Sequence, residues 1–145
     1  MIAGQPGLLS APRFAMVARI LLPIYLIIVA CIVFSPADQA PHSTGFVAWV
    51  VSQIHALRDA FPTVYIAVEF IANIAMFVPF GVLVPLAFPS CAWWLTALLG
   101  FATTITIELA QRALPSRYST VSDVLANTFG TLAGLALLWA LRRRR

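Results

Sequence analysis

A chain of 145 residues, 61% hydrophobic and 10% charged, with a mean hydropathy of +0.94, has the composition of an integral membrane protein: a soluble domain carries about 25% charged residues. Its length leaves room for one bundle and no second domain. The net charge of +4 is accounted for by Arg142–Arg145, a terminal basic run that suits acidic lipid headgroups rather than nucleic acid, and because all nine basic residues are Arg, lysine Schiff-base and lysine general-base chemistry are excluded.

Four apolar runs reach the roughly 20 residues that a bilayer span needs. A short tail, residues 1–15, precedes the first span, Met16–Phe34. That run has a basic start and ends near Ile28-Val29-Ala30-Cys31, which also fits a bacterial lipoprotein cleavage box. The retained span is preferred, because Ile32, Val33 and Phe34 continue the apolar character past Cys31. In the following loop, residues 35–65, Phe46, Val50, Ile54, Leu57 and Phe61 recur at spacings of three and four. This pattern predicts an amphipathic helix, lying in the headgroup region or packed on the bundle. His42 and His55 have no second ligand at helical spacing, and no metal or other cofactor is expected.

The second span, Ile66–Phe88, carries Glu69 and Asn73 four residues apart on one face. Pro79 follows and removes the hydrogen bond that the Ala75 carbonyl would accept. Asn73, one turn away, is a candidate to satisfy that loosened backbone. The third span, Ala92–Ala113, places Ala97, Thr104, Glu108, Gln111 and Arg112 on one side, with Ile105, Ile107 and Leu109 covering much of the rest. In the fourth, Val121–Leu141, residues Asp123, Asn127, Gly130 and Gly134 fall within about 60° of one another at ~100° per residue. Gly130 and Gly134 form a GxxxG, which lets helix backbones approach closely, so the polar pair shares the packing face. The expected fold is therefore all-α: a single four-helix membrane domain over residues 16–141, an amphipathic surface helix between the first and second spans, and a basic tail at residues 142–145.

An even number of spans puts both termini on one side. That side holds Arg13, Arg19 and Arg142–Arg145, against Arg58, Arg112 and Arg117 on the other. The excess of Arg predicts cytoplasmic termini. Cys31 and Cys91 then lie toward opposite faces, which disfavours a bridge. Glu69, Glu108 and Asp123 each sit within about two turns of the outer end of their helix. Buried carboxylates and guanidiniums in a bilayer are costly unless they are paired. The sequence thus predicts one outer-leaflet polar cluster of Glu69, Asn73, Glu108, Gln111, Arg112, Arg117, Asp123 and Asn127. In it, Arg112 or Arg117 pairs with Glu108 and Asp123. Asp123 also suits a simpler role as a charge in the first turn of the fourth helix.

Three pieces, in order and spacing, resemble the VanZ-like family of small bacterial membrane proteins. They are Asn73-x-x-x-Phe77-x-Pro79-Phe80-Gly81, Glu108-x-x-Gln111 followed by Arg117, and Asp123-x-x-x-Asn127-x-x-Gly130. The resemblance runs from about Ile66 to Leu138, with little contribution from the first span. It implies a few membrane helices, a bacterial envelope location in the cytoplasmic membrane and, through the founding member's association with teicoplanin resistance, a role in glycopeptide tolerance. It implies no reaction.

The functional expectation is a non-enzymatic envelope protein whose outer-leaflet pocket binds or excludes an amphiphile. Candidate partners are a lipoglycopeptide, a lipid-linked cell-wall precursor or a membrane phospholipid headgroup. In this reading Arg112 and Arg117 recognise carboxylate or phosphate, and Pro79, Gly81, Gly130 and Gly134 shape the packing. One alternative is an intramembrane enzyme acting on a lipid-linked phosphate, with carboxylates holding Mg²⁺ and Glu108 as general base. Against it, no serine, cysteine or histidine lies in the polar layer beside a base. The other alternative is a small oligomeric transporter.

Overall fold

The computed structural model describes residues 12–34, 53, 56–112 and 121–143. Four long helices dominate: α1 (Pro12–Phe34), α2 (Pro62–Ala87), α3 (Trp93–Arg112) and α4 (Val121–Arg143). All four are long and apolar enough to cross a membrane, and their bounds lie within four residues of the spans read from sequence. Most of the expected surface helix lies outside the described residues. Of it, residue 53 and residues 56–60 are helical, and the Tyr65 N–H donates to Phe61 O at 3.0 Å where this segment meets α2.

Local chemistry sets the helix ends. Pro62 opens α2 in the first turn, where a missing N–H costs nothing. The same helix stops before Phe88-Pro89, since Pro89 cannot extend it. Phe88 N–H still donates to Val84 O at 2.9 Å, and Cys91 N–H to Phe88 O at 2.9 Å, which folds the chain back within a few residues. Thr96 N–H to Ala92 O, at 3.1 Å, restarts the ladder as α3.

α2 is the central helix: it packs on α1, α3 and α4, and its contact with α4 is the most extensive in the bundle. Glycine explains that closeness. A Cβ on Gly81 would strike the Thr131 carbonyl and come within 3.0 Å of Gly134 Cα. One on Gly130 would strike the Ile74 carbonyl, and one on Gly134 the Val78 carbonyl. The partners advance together along both chains, so α2 and α4 run parallel with their backbones in contact. The GxxxG face expected on the fourth span is thus met by α2, with Gly81 as its counterpart. Gly100 of α3 serves the same pair differently. Its missing side chain makes room for that of Thr131, whose Oγ1 would lie 2.5 Å from a Cβ there.

The apolar core is small: Val29, Val33, Phe77, Phe80, Val84 and Ile107. Phe77 is 1% exposed, its ring 6.1 Å from that of Phe80. Large apolar side chains such as Ile20, Ile27, Ile71, Trp94, Leu98 and Phe129 point outward. Lipid tails are as apolar as leucine, so bundles of this kind are held by close packing and interhelical hydrogen bonds rather than by hydrophobic burial. Two such bonds tether α1: Arg19 Nε donates to Ala87 O at 2.9 Å and Tyr25 Oη to Met76 O at 2.8 Å. The first places the start of α1 beside the end of α2, where unpaired carbonyls and the negative helix end favour a guanidinium.

Candidate functional site

The ends of α1 and α3 and the starts of α2 and α4 meet at one end of the bundle. Gln111 Nε2, in the last turn of α3, donates to Val33 O in the last turn of α1 at 3.1 Å, meeting a carbonyl that has no partner within its own helix. Between these helices lies a cavity of about 110 Å³. Ile32 and Val33 come to it from α1; Glu69, Asn73 and Met76 from α2; Ile107, Glu108 and Gln111 from α3; Asp123 and Asn127 from α4.

The polar residues form a gradient of depth. Glu69 is exposed at the rim and accepts a hydrogen bond from Tyr65 Oη at 3.4 Å. Asn73 and Asp123 are half-buried, and Asn73 Nδ2 donates to Asp123 Oδ1 at 2.7 Å. This bond joins the two parallel helices above their glycine contact. Glu108 and Asn127 form the buried floor, 5% and 3% exposed. Asn127 lies six residues into α4, about 9 Å from its start. Its Nδ2 donates to Thr104 Oγ1 at 2.9 Å, and its backbone carbonyl accepts from Thr131 Oγ1 at 3.1 Å. Asn127 Oδ1 is buried without a hydrogen-bond partner among the described residues.

Six of the eight residues expected in the polar cluster therefore line one cavity: Glu69, Asn73, Glu108, Gln111, Asp123 and Asn127. Arg112 is exposed in the last turn of α3 and is not part of the wall. Arg117 lies outside the described residues, and with it the expected pairing of Glu108 and Asp123. Three local expectations change. Asn73 is engaged with Asp123 rather than with the backbone loosened by Pro79; near that proline it is Tyr25 that reaches a carbonyl, that of Met76. Ile107, expected away from the polar side of its helix, is 9% exposed and lines the cavity. The first span, which has no residue in the expected polar cluster, supplies one wall through Ile32 and Val33.

Thr104 and Thr131 are fully buried and bond Asn127 from outside the cavity lining. Their sequence signal is slight: each lies four residues from a site residue, Thr104 from Glu108 and Thr131 from Asn127. Among the described residues, no group of three His, Cys, Asp or Glu is arranged to hold a metal ion. The arrangement is a narrow, polar recess at the helix ends, sized for a small polar group.

A family model described as VanZ/LLP1 matches residues 22–142. The match takes in most of α1 as well as α2 to α4, a longer stretch than the motifs alone cover. No curated protein and no solved structure matches the chain.

Proposed function

The chain belongs to the VanZ/LLP1 family, and from that premise we propose that it is a non-enzymatic protein of the bacterial cytoplasmic membrane whose end cavity binds the headgroup of an amphiphile. The observation that carries this reading is the convergence of Asn73, Glu108, Gln111, Asp123 and Asn127, from three helices, on one recess of about 110 Å³. A comparable cavity of about 150 Å³ holds a molecule the size of benzene. A lipoglycopeptide, a lipid-linked cell-wall precursor or a phospholipid would therefore enter only by the tip of its headgroup. Tolerance to glycopeptides such as teicoplanin would follow if occupancy alters how the antibiotic or its target is held at the membrane surface.

The test is expression in a glycopeptide-susceptible bacterium. The wild-type chain should raise the inhibitory concentration of teicoplanin. Glu108→Gln and Asn127→Leu, expressed at the wild-type level in the membrane, should return it toward the empty-vector value. Full tolerance in both variants would separate the phenotype from the cavity and overturn this reading.

The same reading puts both termini in the cytoplasm and the cavity at the outer surface, since Arg13, Arg19 and Arg142–Arg145 share one end. Cysteine labelling from outside should reach Ser43→Cys and spare Ser90→Cys, with both native cysteines replaced. The reverse pattern would invert the bundle and place the cavity in the inner leaflet.

A further inference from the structure

We infer that the cavity recognises a primary ammonium group, such as an aminoethyl headgroup, rather than a phosphate or carboxylate. The inference rests on the reading of the cavity as a headgroup site and specifies its ligand class.

The floor makes the argument. Asn127 is 3% exposed, its Nδ2 is engaged by Thr104 Oγ1, and its Oδ1 has no hydrogen-bond partner among the described residues. A buried acceptor left unmet is destabilising, so the matching ligand brings a donor. The walls repeat this polarity. Asn73 Nδ2 donates to Asp123 Oδ1 and Gln111 Nε2 to Val33 O, so one N–H of each amide is engaged within the protein. Glu69, Glu108 and Asp123 add carboxylate oxygens to the lining, and an ionised carboxylate only accepts. A phosphate or carboxylate would bring to Asn127 Oδ1 another acceptor in place of a donor.

An ammonium brings three N–H donors on a compact centre. A recess of about 110 Å³, somewhat smaller than a cavity that holds benzene, takes only the tip of a headgroup. An aminoethyl tip fits that volume, and a trimethylammonium group has no N–H to donate. The exposed carboxylate of Glu69 at the rim, against the buried Asn127 at the floor, gives the path of entry from the end of the bundle.

The experiment measures lipid retention by native mass spectrometry on protein from nanodiscs holding phosphatidylethanolamine, its N-trimethylated counterpart phosphatidylcholine and phosphatidylglycerol in equal parts. Phosphatidylethanolamine should be retained about tenfold better than the others, the ratio that one charge-assisted hydrogen bond supports. Asn127→Leu should abolish the preference. Thr104→Val deletes the same interhelical bond from the other helix but keeps the amide acceptor, and should retain the preference. Soluble ethanolamine, added as competitor, identifies the source: competition means that the amine suffices, and preference without competition means that the lipid is required, and both support amine recognition. Preference for phosphatidylglycerol, with Asn127→Leu reducing it, would overturn the ammonium assignment while leaving the cavity a binding site. Equal retention of the trimethylated lipid, or loss of preference in Thr104→Val matching that in Asn127→Leu, would also overturn the assignment. Equal retention of all lipids in every variant would overturn both the assignment and the headgroup reading.

Discussion

The two sides of α2 are built in different ways. Toward α4 there is almost no side chain between the helices: Gly81, Gly130 and Gly134 leave backbone against backbone. Toward α1 and α3 the joints are sparse hydrogen bonds and partly filled space. An open, apolar groove of about 600 Å³ runs there, lined by residues including Leu22, Leu26, Phe80, Val84, Leu95 and Leu99. The parallel α2–α4 pair is thus the frame, and α1 and α3 are staves set against it. The cavity lies where the two kinds of contact meet. Asn73 and Asp123 span the frame above the glycines, while Gln111 and the Val33 carbonyl close the opposite wall. The recess is built partly on the close-packed pair, and its remaining walls come from the more openly packed helices.

The comparison breaks most visibly at Gly134. Leucine there must displace the Val78 carbonyl of a packed helix, so Gly134→Leu should lose at least the ~3 kcal/mol at the upper range of overpacked cores. It should appear as loss of folded protein in detergent by size-exclusion and thermal unfolding. Gly100→Ala is the milder counterpart, since its added Cβ meets the Thr131 side chain rather than backbone, and its Tm should fall by clearly less. Equal losses would mean that the glycine contacts do not distinguish the two sides.

A smaller effect is expected at the polar bond across the frame. Hydrogen bonds between membrane helices average about 0.6 kcal/mol and reach about 1.7 kcal/mol in double-mutant cycles. The cycle of Asn73→Ala and Asp123→Ala should give a coupling of about 1 kcal/mol, toward the upper part of that range because Asp123 supplies a carboxylate at 2.7 Å. Strict additivity of the two losses would show that the contact does not hold α2 to α4.

The groove should be the most forgiving place. Leu99→Phe adds volume where the lining is open, and the expected change is within ~0.5 kcal/mol, as for substitutions away from packed features. A fall in Tm approaching that of Gly134→Leu would show the groove to be as tightly packed as the glycine face.

Much of the candidate site was legible because helical periodicity is a property of each segment alone. Asp123, Asn127, Gly130 and Gly134 share one stripe whatever surrounds them, and the depth of Glu69, Glu108 and Asp123 follows from counting residues from the helix ends. That is why the six lining residues could be gathered from one chain of letters. Arg112 shows the limit of the same method. It follows Gln111 directly and was grouped with it, yet Gln111 is buried and Arg112 is exposed. A step of about 100° is enough to carry a long side chain past the edge of a narrow wall.

By itself the sequence determined the membrane character, the four spans, the position of the α2–α3 turn and the polar ends of α2, α3 and α4. These depend on transfer of apolar segments out of water and on backbone limits such as those of Pro89, both of which act locally. Only the tertiary structure decided which helix each face would meet. Gly130 and Gly134 offer a smooth surface to any neighbour, and the choice of α2 required Gly81 at the matching height. The pairing of Asn73 with Asp123, of Asn127 with Thr104 and of Gln111 with the carbonyl of Val33 was decided in the same way. Amides, carboxylates and hydroxyls can satisfy one another in many combinations, and lipid supplies no hydrophobic gradient to rank the lateral arrangements of the helices. Close backbone approach on one side of α2 ranks them, by fixing which polar atoms come within reach.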